Sequence, residues 1–236
     1  MSKKATIVFA CMITLPVVGL LIKNHITQEQ SGEPKAQVVE QSDLEQKAKN
    51  TEIKFVEGEH YIKIDPVYGL PSNSVVEVLW YGCPHCYNME EKVSSKEFKE
   101  KSKDWNFQQI HFAKKDGPVG FDFRIYAALK QMGLDSTIGK KYMAALHEDG
   151  LDRGSFDSFA KKNGLSVDAI QELSSNEEAQ NYYNFSAQFS EREGFKGVPS
   201  FIVEGKYIIN NAYDVADVAN YLLKLEGGSS EDDTQK

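Results

Sequence analysis

Hydrophobic and polar positions change character along the chain. Residues 5–22 are eighteen uncharged, mostly apolar positions flanked by Lys3, Lys4 and Lys23. As a helix they would extend ~27 Å, close to the thickness of a bilayer core. Residues 24–52 lose that pattern to Gln, Glu, Lys and Ser, which predicts a polar linker. From Val75 to Trp80 a short β-branched run predicts a buried strand. Tyr81-Gly82 breaks it, and Tyr87 to Val93 suits a helix. Pro84 fits a first helical position, where its missing N–H would be unpaired anyway.

Asp116 to Gly120 reads as a turn cluster. From Phe121 to Glu193 helical periods dominate: Phe123, Tyr126 and Ala127 mark one, and Val167, Ile170 and Leu173 another, with Ser166 as its cap. The strand pattern returns at Phe201-Ile202-Val203, directly after Pro199. Proline there predicts the start of an edge strand. Glu204-Gly205 marks a turn into a partner strand at Tyr207-Ile208-Ile209, and residues 227–236 read as a disordered tail.

The first apolar run has two readings, a cleaved secretory signal and an uncleaved anchor. Its end, Val18-Gly19-Leu20-Leu21-Ile22-Lys23, lacks a small-x-small site, which favours the anchor. Either reading places the rest of the chain outside the cytosol. Val8-Phe9-Ala10-Cys11 faintly resembles a lipoprotein box, but the apolar stretch before it is too short for a signal core, so Cys11 reads as a plain apolar position.

Composition narrows the function. The 236 residues are 41% hydrophobic and carry a net charge of −8, which gives no support to nucleic-acid binding. Three cysteines are too few for a disulfide-stapled scaffold. The close pair in Cys83-Pro84-His85-Cys86 therefore asks for a chemical reason. Cys83 falls where a strand hands over to a helix, and unpaired N–H groups there stabilise a thiolate. His85 can add a donor or a positive charge beside the same sulfur. Cys86, one turn on, can close a disulfide with Cys83. The expectation is an exposed, attacking Cys83 and a more buried, resolving Cys86. A structural disulfide is the weaker reading, because so short a loop removes little chain entropy. A zinc site would want a third and fourth ligand, and no second Cys pair or His-x-x-x-His follows. No metal is expected.

Together, Cys83-Pro84-His85-Cys86-Tyr87, Gly197-Val198-Pro199 with Phe201 to Tyr207, and Phe55 to Tyr61 resemble the thioredoxin superfamily, and within it the DsbA-type disulfide oxidases. The resemblance covers about residues 53 to 226 and implies an α/β fold: a thioredoxin fold with an inserted α-helical domain. The boundaries expected are 53–115 and 194–226 for the two thioredoxin parts and 116–193 for the insertion. It implies a cis-proline loop at Val198-Pro199 that holds substrate, and proton-transfer roles for Glu77 and Glu90. Trp80, Tyr81, Phe121 and Phe123 are candidates for an apolar patch around the sulfur, or for core.

The implied activity is donation of a Cys83–Cys86 disulfide to reduced exported proteins, with no cofactor beyond that redox-active disulfide. A DsbB-type quinone-linked membrane partner would re-oxidise it in the periplasm, with the segment 5–22 as an inner-membrane tether. The rivals are an isomerase or reductase on the same fold, and a non-enzymatic membrane-tethered metal or peptide carrier.

Overall fold

The computed structural model describes residues 55–210 and 213–228. The expectations for the apolar run 5–22, for Cys11, for the linker and for most of the tail lie outside the described residues. Among the described residues no helix is long and apolar enough to cross a membrane.

A five-stranded mixed sheet forms the centre, in the order β1-β5-β4-β2-β3. Its strands are β1 (Tyr61–Lys63), β2 (Ser74–Leu79), β3 (Asn106–His111), β4 (Ser200–Val203) and β5 (Tyr207–Ile209). β2 runs parallel to β3 and antiparallel to β4, and every one of its residues is buried. A strand flanked on both edges and covered on both faces has no polar side, so the near-continuous Val75 to Leu79 run is what it needs. β4 lies at the middle of the sheet, not at its edge as Pro199 suggested. The proline is tolerated because it falls one residue before the first paired position, Ser200 opposite Val78, and owes the ladder no N–H.

Alternation along the strands sorts the core. Val75, Phe201, Val203 and Ile209 pack on one face against the last helix, Val215–Gly228, and against Val93 and Phe98. Val76, Val78, Ile202 and Ile208 pack on the other face with Phe189. Each such buried aliphatic side chain stabilises the fold by roughly 1.5–3 kcal/mol. The last helix runs to Gly228, two residues into the expected tail.

Helices α1 (Pro84–Ser94) and α2 (Lys96–Lys101) connect β2 to β3. Between β3 and β4 comes the helical insertion: α3 (Gly117–Gln131), a π-type turn (Asp135–Gly139), α4 (Lys140–His147), a 3-10 turn (Arg153–Ser155), α5 (Phe156–Lys162), α6 (Val167–Leu173) and α7 (Glu177–Ser190). The final helix is α8 (Val215–Gly228). The expected Asp116 to Gly120 turn is mostly helix, because Pro118 sits in the first turn of α3, where proline is favourable. Ser166 does cap α6, its hydroxyl accepting from the Ala169 N–H at 3.3 Å.

The insertion has its own apolar cluster, centred on Leu129, Tyr142 and Ala160, and this cluster reaches Leu79, Tyr81 and both cysteines. The thioredoxin part and the insertion thus meet at the cysteine pair.

Candidate active site

Cys83 is the N-cap of α1, and its sulfur accepts from the Cys86 N–H at 3.4 Å. The turn is closed by the Cys83 N–H donating to the Trp80 carbonyl at 2.9 Å. Both cysteines are free thiols here and both are buried, Cys83 at 6% and Cys86 at 1% relative exposure. The order expected for the two sulfurs is present, but Cys83 is not openly exposed. It is covered because the Val198-Pro199 loop lies over it: the Cys83 thiol donates to the Val198 carbonyl at 3.6 Å. The Val198-Pro199 peptide is cis.

The same four-residue run drives the two thiols in opposite directions. Cys83 falls to about 6, chiefly because the Cys86 thiol donates to its sulfur. The N–H groups of Cys86 and His85 and the His85 charge add to this against the cost of burial. Cys86 is raised, first because its donated hydrogen bond to Cys83 favours the thiol and then by burial, with the Glu77 charge contributing. Pro84 and His85 are exposed at the start of α1, on the rim of the site.

Glu77 is enclosed within the fold. It lies on β2 on the same face as Val75, turned toward α1, and is 1% exposed. Burial raises its carboxyl to about 7. Gln109 on β3 donates from one amide nitrogen to Glu77 Oε2 at 2.8 Å and to Glu90 Oε2 at 2.9 Å. Glu90, on α1, is also paired with Lys140 of α4.

The backbone before Cys83 is clamped by residues that periodicity did not single out. His111, at the end of β3, accepts the Tyr81 N–H at Nε2, 3.3 Å away. Its Nδ1 lies 2.9 Å from the Phe112 carbonyl, so the proton sits on Nδ1. Burial pushes His111 down to about 4, which keeps it neutral. His147 of α4 donates from Nε2 to the Tyr81 carbonyl at 2.9 Å. One residue, Tyr81, is thus held at both its N–H and its C=O, once from each part of the molecule.

A second clamp holds Trp80. Asp122 is fully buried on α3 and accepts from Trp80 Nε1 at 2.7 Å, Tyr142 Oη at 2.9 Å and Arg153 at 2.6 and 2.9 Å. A side chain at Gly82 would collide with the Arg153 guanidinium and the Trp80 ring, so any larger residue before Cys83 would have to displace this clamp. Tyr81 and Phe123 are core, while Trp80 and Phe121 are only partly buried against it.

From the Val198-Pro199 loop, a groove of about 350 Å³ runs past Ser200 along Ile62, Ile208 and Asn210.

A thiolate-prone cysteine at a helix N-terminus, a buried partner thiol and a facing proline loop define a thiol–disulfide oxidoreductase of the thioredoxin fold with a helical insertion. No family model matches the chain. Among characterised proteins, it is 25% identical over 158 residues to the thiol:disulfide interchange protein DsbA of Burkholderia cepacia, covering 64% of this chain and 74% of the relative. It is 24% identical over 180 residues to the DsbA of Azotobacter vinelandii, covering 72% and 83%. The crystal structure of Pseudomonas aeruginosa DsbA superposes with a TM-score of 0.64 at 22% identity, over 75% of this chain and 97% of that one. The chain is thus similar in sequence to DsbA thiol:disulfide interchange proteins, which agrees with an oxidoreductase role, and shares its fold with a DsbA structure.

Proposed function

We propose that the protein oxidises dithiols of exported proteins, with Cys83 as the sulfur attacked and Cys86 as the leaving and resolving sulfur. The observation that carries this reading is the opposed pair: a depressed Cys83 at the helix cap beneath the Val198 carbonyl, and a raised, buried Cys86 behind it. A substrate thiolate attacks Cys83, the S–S bond breaks, and its electron pair passes to Cys86. A second substrate thiolate then attacks the mixed disulfide and releases Cys83 as a thiolate. Overall, two substrate thiols and one enzyme disulfide give a substrate disulfide, a Cys83 thiolate, a Cys86 thiol and one proton. Because the released Cys83 thiolate is stabilised, the reduced enzyme is favoured and the enzyme is an oxidant.

His85 and the opening peptide units of α1, after Pro84, stabilise that thiolate. Val198 and Pro199 hold the substrate chain, with the adjoining groove as its berth. Glu77, with Glu90 behind it, delivers the proton that the departing Cys86 sulfur takes. The work belongs to the periplasm, and a DsbB-type quinone-linked membrane protein restores the disulfide. The apolar segment 5–22 tethers the enzyme to the inner membrane.

The test is alkylation of the reduced protein across pH, with each cysteine followed by peptide mass. Cys83 should label with a midpoint near 6 and well ahead of Cys86. A Cys86→Ala variant mixed with a peptide whose cysteine is capped as a glutathione disulfide should accumulate a mixed disulfide between Cys83 and the peptide, with glutathione leaving as the thiolate. Labelling of Cys86 first would reverse the assignment.

A further inference from the structure

We propose that Gln109 and Lys140 are positioning residues for the acid pair. Gln109 fixes which oxygen of Glu77 carries the exchanging proton. Lys140, delivered by the helical insertion and paired with Glu90, counters the Glu90 charge that Glu77 experiences. The proposal deepens the functional reading above and rests on Glu77 as the proton source for Cys86.

The geometry has three parts. First, a single amide nitrogen, Gln109 Nε2, donates to Oε2 of Glu77 and to Oε2 of Glu90. An amide nitrogen has two hydrogens, so both are committed and Gln109 holds the two carboxyls at a fixed spacing. Second, Glu77 Oε1 is buried and has no partner. With Oε2 occupied as an acceptor, the proton of a neutral Glu77 belongs on Oε1, the atom free to give it up. Third, Lys140 Nζ pairs with Glu90 Oε1, and the pair lines a small cavity of about 20 Å³ together with Gln109, Tyr81 and Asp135. A space of that size suits about one water, enough to link the Glu90 end toward solvent.

The groups that face Glu77 are few. α1 brings Glu90 and Cys86, β3 brings Gln109, and α4 brings Lys140, while its β4 neighbour is the apolar Phe201. Two of these act on its ionisation with opposite signs. The Glu90 charge makes a second negative charge harder to form, and the Lys140 charge makes it easier. In the exchange step the S–S electron pair arrives on Cys86, the Cys86 sulfur takes the Oε1 proton, and Glu77 is left as a carboxylate. Lys140 eases that last state, so the insertion sets how readily the proton is given.

The experiment follows the Glu77 carboxyl carbon by NMR in the oxidised full-length protein, where neither Cys83 nor Cys86 titrates alongside. The resonance is assigned by its loss in Glu77→Gln. Lys140→Met should raise the Glu77 midpoint and Glu90→Gln should lower it, each by about half a pH unit or more. Lys140→Arg should leave it in place, and Gln109→Leu should raise it by removing the donor to Oε2. The pH–rate profile for oxidation of a dithiol peptide should move in the same sense as each midpoint. Lys140 is partly exposed, so its variants are expected to fold. A midpoint unmoved by Lys140→Met and Glu90→Gln, or moved the same way by both, overturns the proposal. If the midpoints shift as stated but the wild type oxidises no dithiol peptide, the oxidoreductase reading fails, and the proton-source role with it.

Discussion

The thioredoxin part and the helical insertion contribute to the same site by different physics. The thioredoxin part supplies the reacting atoms and the local fields that act on them: Cys83 at the cap of α1, the first N–H groups of that helix, the His85 charge and the Val198 carbonyl. The insertion supplies no reacting atom. It supplies holders: Asp122 and Arg153 on Trp80, His147 on the Tyr81 carbonyl, and Lys140 on Glu90. The thiolate's stabilisation is therefore written over the adjacent residues Cys83 to Cys86, with only the Val198 carbonyl arriving from afar, while the rigidity behind it is assembled entirely from residues dozens of positions away. The two contributions should separate under mutation, stability following the insertion and the Cys83 midpoint following the thioredoxin part.

The largest separation is expected at Asp122. Asp122→Ala leaves the Arg153 guanidinium, the Trp80 indole N–H and the Tyr142 hydroxyl without their shared acceptor. Breaking a buried pair in this way costs about 3–5 kcal/mol, read as a lower urea midpoint. The Cys83 alkylation midpoint should stay within about half a pH unit in whatever fraction remains folded. A Cys83 midpoint that rose together with the loss of stability would erase the distinction between the two parts.

The next effect is a pH dependence with two opposed limbs. The His111 value in the fold, about 4, lies below the ordinary 6.5. Its contribution to stability is thus complete above 6.5 and lost as pH falls toward 4, on the order of 3 kcal/mol in all. The loss has a structural cause, since an imidazolium cannot accept the Tyr81 N–H. Glu77 behaves in the opposite sense. Its value is raised from 4.5 to about 7, so its contribution is complete below 4.5 and is lost as pH rises through 7. Denaturant curves should show Glu77→Gln gaining on the wild type by on the order of 3 kcal/mol between those limits. A difference curve flat in pH would remove the buried, neutral Glu77 from the account.

The smallest effect tests the thioredoxin side. His85→Ser removes a nearby positive charge and should raise the Cys83 midpoint by about one pH unit or less, with little change in unfolding. If unfolding shifted and the midpoint did not, the assignment of chemistry to this part and holding to the other would be reversed.

What the sequence made legible follows the same division. The strand-to-helix placement of Cys83, the Pro84 start of α1 and the Val198-Pro199 approach to strand β4 are local patterns, visible in periodicity and turn chemistry. Glu77 was visible as the one charge in an apolar run, although only the sheet order shows that it is enclosed on both sides. Pro199 misled for the same reason: a proline before a strand looks alike at an edge or at the centre until the neighbouring strands are known. Asp122, Arg153, His111, His147, Gln109 and Lys140 carry no local signature. Each is an ordinary polar residue whose meaning depends on a partner between 19 and 66 positions away. A weak signal existed in Asp122, a carboxylate flanked by the apolar Phe121 and Phe123 on a helix that is otherwise rich in core residues.

The most direct test of the central claim, that a stabilised Cys83 thiolate makes this enzyme an oxidant, is the reduction potential of the Cys83–Cys86 pair. The protein is equilibrated in glutathione buffers of stepped ratio, and the oxidised share is read from the mass of the alkylated peptide that carries both cysteines. The expected potential is less negative than about −180 mV, on the oxidising side of the folding compartment. A potential near −270 mV, that of a thioredoxin-like reductant, would contradict it.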